Sequence, residues 1–288
     1  MVWLKRTGIA LAVLFALAAA LVGLCAFSFW NGMRVDASKG IAEAGYVRIG
    51  GIDQWIQIRG LDRSNPVLLW LNGGPGFSQI PQSYSYRGWE EQFTLVMWDP
   101  RGQDRTFARS GTSVKDTMTL EQFASDGIEV ADYLRKRLSK DRIALLGHSF
   151  GSMVGVRMVQ ERPDLFSVYV GTGQVTSLAK QVEFAYPRLI ERARKMGNRQ
   201  AEDQLLQAGP PPYSSEGLAK WGVEISWANQ LDPMPERTLP SPGALWGVVT
   251  GRLLGASGFL AGAQFSQETM WGEMLADDLP ARGVLFAV

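Results

Sequence analysis

Ser149 is the residue whose surroundings most strongly suggest chemistry. It lies at the centre of GHSFG, residues 147–151, a G-x-S-x-G pattern that presents a nucleophilic serine in many enzymes. The apolar run RIALLG precedes the pattern, and the helix-like segment SMVGVRMVQERP follows it. The glycines at 147, 151 and 155 leave room for a strand and a helix to approach closely, as such a turn requires. A plain glycine turn between strand and helix is the alternative.

The base that would activate this serine is not evident. A nucleophilic serine passes its proton to a neighbouring base, most often a histidine. The sequence contains one histidine, His148, which is the serine's own neighbour. Because adjacent side chains diverge in a tight turn, we expect His148 to be a structural or pocket-wall residue packed by the sheet.

A second glycine-rich stretch, NGGPGFS at residues 72–78, directly follows an apolar run. Glycine readily adopts a positive φ, which can turn a backbone N–H toward a substrate carbonyl. We expect the N–H groups of Gly74 and Phe150 to form an oxyanion hole, because the residue after the nucleophile commonly supplies one donor. A glycine-proline loop without a catalytic role is the alternative.

The elements that must position these residues follow an alternating pattern. Residues 45–60 predict two strands joined by a tight glycine turn. Thr119 and Gln122 can cap a helix over residues 119–139. Strands that alternate with helices indicate an α/β fold with a mostly parallel sheet. Further strands are predicted over residues 66–72, 93–100, 142–147 and 165–171, and a helix over residues 152–163.

After residue 173 the strand pattern gives way to a mostly helical stretch. It begins with a helix over residues 176–196, kinked or broken at Pro187, and continues into tryptophan-rich pieces. Packing in a core is the preferred interpretation of these tryptophans, with an apolar substrate pocket as the alternative. Strand character returns only at GVLFAV, residues 283–288. The tryptophans concerned are Trp221, Trp227, Trp246 and Trp271.

Composition excludes several classes of protein. The chain has 288 residues and a formal net charge of +1, which gives no electrostatic footprint for nucleic acid. One cysteine excludes an internal disulfide, and one cysteine with one histidine argues against a zinc site. We therefore expect a globular protein with neither a metal nor another cofactor.

The N-terminus predicts a membrane anchor. No charged residue occurs from Gly8 to Trp30. Such a helix is about 35 Å long, against roughly 30 Å of bilayer hydrocarbon. The apolar region of a cleaved signal peptide, the alternative, is usually shorter. The basic residues Lys5 and Arg6 precede the run, so the bulk of the chain is expected on the extracytoplasmic side of the membrane.

Four motifs in order, LWLNGGPG, VMWDPRGQDRT, GHSFGS and ERPDLFSVYVGTGQ, resemble the prolyl aminopeptidase (proline iminopeptidase) branch of the α/β hydrolases. The resemblance covers roughly residues 45–280. This sequence has Asn72 where the family usually has histidine, Asp104 where glycine is usual, and Thr106 in place of serine. The stretch from residue 99 to 106 is expected to brace the loops near the nucleophile.

The resemblance implies an α/β-hydrolase fold with a helical cap, an acid after the seventh strand and a histidine after the eighth. Neither follows GVLFAV, so we expect a chain whose last strands are missing and whose triad acid and base are absent. Asp277 and Asp278 precede that segment. The expected organisation is an anchor over residues 1–35, a core over 45–173, a cap over 174–280 and a truncated seventh strand over 281–288.

Two functional hypotheses follow. The first is a membrane-anchored serine hydrolase that releases N-terminal residues from short peptides, or an esterase of the same fold acting on a small molecule. By resemblance, cap carboxylates such as Glu183 or Glu224 would bind the substrate's amino terminus. The second is a membrane-tethered binding module that keeps the pocket without the chemistry, because the sequence identifies no base for Ser149.

Overall fold

The glycine loop after Leu71 and the turn at Ser149 lie at the same edge of the sheet, because the strands that precede them pair in parallel. The computed structural model describes residues 2–214, 217–232, 241–254 and 258–279. In these residues six strands form a sheet in the order β1-β2-β4-β3-β5-β6; β1, β2 and β4 pair antiparallel and the others parallel. The strands are β1 (Ile41–Ile49), β2 (Ile52–Gly60), β3 (Val67–Leu71), β4 (Thr94–Asp99), β5 (Ile143–His148) and β6 (Phe166–Thr172).

The central strands are buried because their sequences are apolar throughout. Every residue of β3 and β4 is buried. Leu69 of β3 pairs with Val96 of β4 on one side and Leu145 of β5 on the other, and none of the three side chains is measurably exposed. Strands buried on both faces read as continuous apolar runs, which is why the sequence located them.

Helices α3 and α4 cover one face of the sheet, whereas the 3₁₀ segment Ile80–Glu91 covers part of the other face, on which Val168 and Val170 of β6 are exposed. Thr119 caps α3 as predicted, since its side chain accepts a hydrogen bond from Gln122 N. The α-helices are α1 (Val2–Gly32), α2 (Asp104–Ser110), α3 (Leu120–Leu138), α4 (Phe150–Glu161), α5 (Leu178–Lys195), α6 (Arg199–Ala208), α7 (Leu218–Leu231), α8 (Pro242–Leu254) and α9 (Phe259–Ala276), with 3₁₀ segments at Ile80–Glu91, Gly111–Thr117 and Pro163–Leu165.

Helix α5 runs without interruption through Pro187, so of the two expected outcomes the break is wrong and the kink stays a prediction. A proline inside a helix removes one hydrogen bond and costs about 3 kcal/mol. Here Pro187 is exposed, while the opposite face of α5 is buried against α6 and α7. The apolar contacts of that face offset the lost bond.

Three of the four tryptophans of the helical stretch pack in cores, whereas Trp246 is half-buried and belongs to none of the core clusters of the described residues. Trp271 of α9 is buried beside Trp221, at a ring-centroid distance of 5.3 Å, and joins the main hydrophobic core under the sheet. Trp227 is buried in a separate cluster formed by α5, α6 and α7. Core packing is thus confirmed for these residues. The proposed cap boundaries at residues 174 and 280 stay predictions, and residues 283–288 lie outside the described residues.

A buried ion pair joins the hairpin to the rest of the core. Arg101 binds Asp126 of α3 through Nε at 2.8 Å and Nη2 at 2.9 Å, and both side chains are almost fully buried. Arg101 also donates to Gly50 O in the turn between β1 and β2, and Gln54 donates to Asp126. This network fixes the loop after β4 on which the next acidic residues lie.

Candidate active site

Ser149 lies at the sharp turn between β5 and α4. Its φ of 51° and ψ of −119° form a conformation that residues other than glycine rarely adopt. Ser149 N donates to Thr172 O at 3.0 Å, and Ser149 O accepts from the amide and the hydroxyl of Ser152 at 2.8 and 2.6 Å. The half-buried serine therefore lies on a turn that hydrogen bonds hold from both sides.

The three glycines around the serine allow the close approach that the sequence predicted. A Cβ on Gly147 would lie 2.7 Å from Gly151 O, and one on Gly151 would lie 2.7 Å from Asn72 O. A Cβ on Gly155 would lie 2.6 Å from the ring of Tyr169. Because real Cβ atoms do not approach so closely, α4 packs on β3 and β6 only with glycine at these positions.

The glycine loop after β3 lies against the serine. A Cβ on Gly73 would lie 3.2 Å from Ser149 Cβ, and Gly74 has φ 124°, a conformation suited to glycine. Phe150 is the first residue of α4, and the N–H groups of a helix's first turn have no partner within the helix. The loop and the start of α4 are thus brought to Ser149, and the roles of Gly74 and Phe150 as oxyanion donors stay predictions.

Asn72 positions the start of this loop. Its Nδ2 donates to Trp98 O at 3.0 Å, which ties the end of β3 to the end of β4. The Asn72 side chain is buried, and its Oδ1 has no hydrogen-bond partner among the described residues. An unsatisfied buried acceptor costs about 1–3 kcal/mol, so this is an expensive position to fill with asparagine.

His148 is exposed, not packed by the sheet as expected. Its Nδ1 lies 3.1 Å from Thr172 Oγ1 on the neighbouring strand β6. The ring lies between the backbones of Gly73 and Gly173, where a Cβ would lie 3.1 Å from His148 Cδ2 and 3.7 Å from its Cε1. His148 therefore flanks the serine and is hydrogen-bonded to β6.

A cluster of buried charges supports the glycine loop. Asp99 and Asp104 are fully buried and share Arg105, whose Nη1 lies 3.5 and 3.4 Å from their carboxylates. Ser78 favours the ionised form of both acids, and Thr106 donates to Asp99 O. Residues 99–106 thus brace the loop, as expected.

Burial makes the Asp104 carboxyl a weaker acid than a free aspartate. Desolvation, with the charge of Asp99 as a second cause, raises the pKa of Asp104 to about 7, although Arg105 and Ser78 favour the ionised form. Desolvation also raises the pKa of Asp99. Asp104 has φ 37°, which explains why glycine suits this position.

We expect Asp104→Asn to remove a pH dependence of stability. Unfolded aspartate ionises near pH 4 and folded Asp104 near pH 7, so between these values the unfolded state binds fewer protons. The free energy of unfolding therefore falls as the pH rises from about 4 to about 7. The total loss is roughly 3–4 kcal/mol and stays constant above pH 7. Thermal unfolding at pH 5 and pH 8 should show that the stability of the variant relative to the parent is larger at pH 8, by about 2–3 kcal/mol.

Asp104→Gly serves as the matched variant, because it removes the same charge and also relieves the positive φ. It should exceed Asp104→Asn in stability at pH 8. Equal differences between Asp104→Asn and the parent at both pH values would contradict the assignment.

The acids at the end of α9 are engaged in ion pairs. The buried Asp277 binds Arg157 of α4, with Nη1 to Oδ2 at 3.3 Å. Asp278 accepts from Lys180 Nζ of α5 at 2.6 Å. Leu279 N donates to Thr176 O, so this segment is fastened beside the end of β6. Asp277 thus pairs with α4 and Asp278 with α5, and the expectation that both precede the place of a triad acid stays a prediction.

The two proposed cap carboxylates differ in their surroundings. Glu183 is exposed on α5. Glu224 of α7 is buried and accepts a hydrogen bond from Tyr213 Oη at 2.8 Å. Desolvation raises the pKa of Glu224, and the Tyr213 bond opposes the rise. Among the described residues, no group of three or more His, Cys, Asp or Glu side chains is arranged to hold a metal ion.

Sequence reasoning missed three residues that hold the site together, Ser78, Ser152 and Thr172. Ser78 ends the NGGPGFS stretch, so its position there was a usable signal. The Ser152 hydroxyl joins Ser149 O to Val175 N, which its place one turn into α4 could have suggested. Thr172 gave no signal, because its contact with His148 spans 24 residues and depends on strand pairing.

Comparisons with known proteins agree with this architecture. A family model for the alpha/beta hydrolase fold matches residues 66–209. The probable aminopeptidase YbaC of Bacillus subtilis is 30% identical over 247 residues, covering 83% of this chain and 76% of that protein. A proline iminopeptidase of Aeromonas sobria is 30% identical over 145 residues, covering 46% of this chain and 34% of that protein. The crystal structure of a bacterial membrane phospholipase A, 15% identical, aligns with a TM-score of 0.50 over 96% of this chain and 77% of that one, which shows a shared fold alone.

The matched family model spans half of the chain, and the Bacillus relative shares most of its length. The chain therefore belongs to the α/β-hydrolase family, and its mostly parallel sheet confirms the predicted fold. Within this family of hydrolases it falls in the branch of the prolyl aminopeptidases, as the aminopeptidase and proline iminopeptidase relatives indicate.

Proposed function

We propose that this protein is a serine hydrolase of the aminopeptidase type, with Ser149 as its nucleophile. The observation that carries the proposal is the left-handed backbone of Ser149 between β5 and α4, with the Gly73–Gly74 loop against it. In this reaction Ser149 Oγ attacks the substrate carbonyl carbon and gives its proton to a base. The N–H groups of Phe150 and Gly74 bind the oxyanion, the amine leaves with a proton, and water then releases the acyl group.

The named relatives favour short peptides as substrates. One relative is named a probable aminopeptidase, two are named proline iminopeptidases, and one is named a probable proline iminopeptidase. We infer that the substrate is a short peptide whose N-terminal residue is removed. The experiment is hydrolysis of prolyl and other aminoacyl arylamides, with the corresponding esters in parallel. Cleavage of esters without arylamides would favour an esterase.

A second candidate, a non-catalytic peptide-binding module, is favoured by the position of His148. This single histidine of the 288 residues is hydrogen-bonded to Thr172, and it adjoins Ser149 in the turn. In a serine protease triad the loss of the histidine lowers kcat by about 10⁶. Peptide binding without hydrolysis, unchanged by Ser149→Ala, would support this second function.

We further propose that α1 anchors the protein in a membrane, with the bulk of the chain on the extracytoplasmic side. The apolar part, Ile9–Gly32, has 24 residues; its most apolar stretch of 18 residues has a mean hydropathy of 2.7, and only 6% of that stretch is buried. A core helix of that length would be buried, whereas this one presents Leu14, Leu17 and Leu21 to its surroundings.

Arginine at both Leu14 and Leu17 is expected to prevent membrane insertion. Each arginine near the centre of a span costs about 2.5–3.5 kcal/mol on the biological insertion scale. Sedimentation of membranes after alkaline extraction should find the parent chain in the pellet and the double variant in the supernatant. Trp30→Arg is the control, because arginine at a span's end reaches the interface and is tolerated. Retention of the double variant in the pellet would contradict the anchor.

A further inference from the structure

The last turns of α1 pack against the folded domain. Phe29 stacks on Tyr84 of the 3₁₀ segment Ile80–Glu91, with ring centroids 5.8 Å apart. Gly32 lies so close to the same ring that a Cβ would fall within 3 Å of it. Cys25 is only 6% exposed, and Arg59 donates to Met33 O at 2.9 Å. The C-terminal end of α1 is therefore fixed to the domain.

Helix α8 lies antiparallel to this part of α1. Gly247 packs on Phe29, where a Cβ would lie 2.9 Å from the ring. Gly243 packs on Tyr84, the ring that also contacts Gly32. Later residues of α1 therefore lie beside earlier residues of α8, as in an antiparallel pair. Helix α8 continues for about 10 Å beyond Gly247, alongside α1 and toward the middle of the apolar part of α1.

The outward surface of α8 and the start of α9 is apolar. The one charged residue of α8 is Arg252, in its last turn, and from Pro242 to Gly251 the sequence has none, whereas a helix facing water carries polar side chains on that face. Leu245 is 46%, Val249 41% and Leu260 75% exposed. We call these three side chains the leaflet surface.

We propose that the leaflet surface is embedded in the hydrocarbon layer of a lipid bilayer, beside the C-terminal end of α1. The proposal rests on the anchoring proposed above. The apolar part of α1 is about 36 Å long, against roughly 30 Å of hydrocarbon, so the turns that contact α8 lie within or at the edge of that layer. Because α8 runs beside those turns, its uncharged part, residues 242–251, lies at the same depth.

The start of α9 connects this surface to the candidate active site. Gly258 follows Leu254 by four residues, which limits their separation to about 14 Å. The Phe259 ring lies 6.0 Å from that of Phe77, and a Cβ on Gly76 would lie 2.6 Å from Ala263 Cα. The glycine loop beside Ser149 is thus held against the helix whose first turn carries Leu260, so the candidate active site adjoins the helix that contacts lipid in this proposal.

Depth-dependent fluorescence quenching tests the proposal on the full chain. In a Cys25→Ala background, single cysteines at Leu245, Val249 and Leu260 are labelled with an environment-sensitive fluorophore. The variants are reconstituted in phosphatidylcholine vesicles that contain phosphatidylcholine spin-labelled on its acyl chain. Leu17 on α1 reports on the anchor, and Leu206 on α6, itself 49% exposed, is the matched control.

The expected result is a loss of fluorescence at the three leaflet positions that approaches the loss at Leu17, with no loss at Leu206. Loss of fluorescence at Leu17 but not at the three leaflet positions would contradict the embedding of the leaflet surface and would leave the anchor supported. Absence of quenching at Leu17 itself would overturn the anchor and the leaflet surface together. Circular dichroism of each labelled variant verifies that the compared proteins are folded.

Discussion

Imidazole added to the solution is expected to raise the rate of aminoacyl arylamide hydrolysis by this chain at least about tenfold, though by less than the 10²–10⁴ that a positioned general base contributes, because a diffusing base is not held beside the serine. The glycine loop lies against Ser149, whereas His148, the one histidine of the sequence, is hydrogen-bonded to Thr172. A small diffusible base can accept the proton of Ser149 Oγ, because the serine side chain is only partly buried. Initial rates at pH 8, measured against imidazole concentration, give the effect.

Ser149→Ala should remove the imidazole-dependent rate, since no hydroxyl is left to deprotonate. Ser113→Ala is the matched control, because Ser113 is an exposed serine whose hydroxyl bonds only to Ser110 O in its own 3₁₀ segment. An imidazole-dependent rate that persists in Ser149→Ala would show that Ser149 is not the nucleophile. Tight peptide binding without any imidazole-dependent hydrolysis would support the binding module.

Arg101→Met is expected to lower the free energy of unfolding by about 3–5 kcal/mol, the usual effect of removing one partner of a buried ion pair. The substitution leaves the buried carboxylate of Asp126 with two glutamine donors, Gln54 at 2.7 Å and Gln122 at 2.8 Å, and without a cation. It also frees Gly50 O in the turn between β1 and β2. Near-ultraviolet circular dichroism during heating in detergent should show a lower midpoint, by about 2–4 °C for each kcal/mol.

A surface ion pair supplies the comparison. Arg137 and Glu43 are 2.7 Å apart with both side chains about two-fifths exposed, so Arg137→Met should cost no more than about 1 kcal/mol. Adding Asp126→Asn to Arg101→Met should recover part of the loss, because the uncompensated charge disappears. Equal shifts for Arg101→Met and Arg137→Met would refute the role of the buried pair.

The strands and the serine turn were predictable because their signals are local. Apolar runs mark β3 and β4, and the glycines around Ser149 mark a turn that accepts no side chain. The first strand was underestimated: β1 begins at Ile41, whereas the pattern predicted a start at residue 45. Alternation is weak there, so only pairing with the whole length of β2 defines the strand.

The sequence by itself therefore determined the fold class, the serine turn, the glycine loop beside it and the apolar N-terminal helix. The fold class and the N-terminal helix follow from apolar runs and their spacing within a few residues. The serine turn and the glycine loop follow from the backbone freedom of glycine. The tertiary structure alone decided the environment of Asp104, the ion pair of Arg157 with Asp277 and the packing of α8 on α1. These contacts join residues far apart in the chain, and their energies come from burial, which no local pattern expresses.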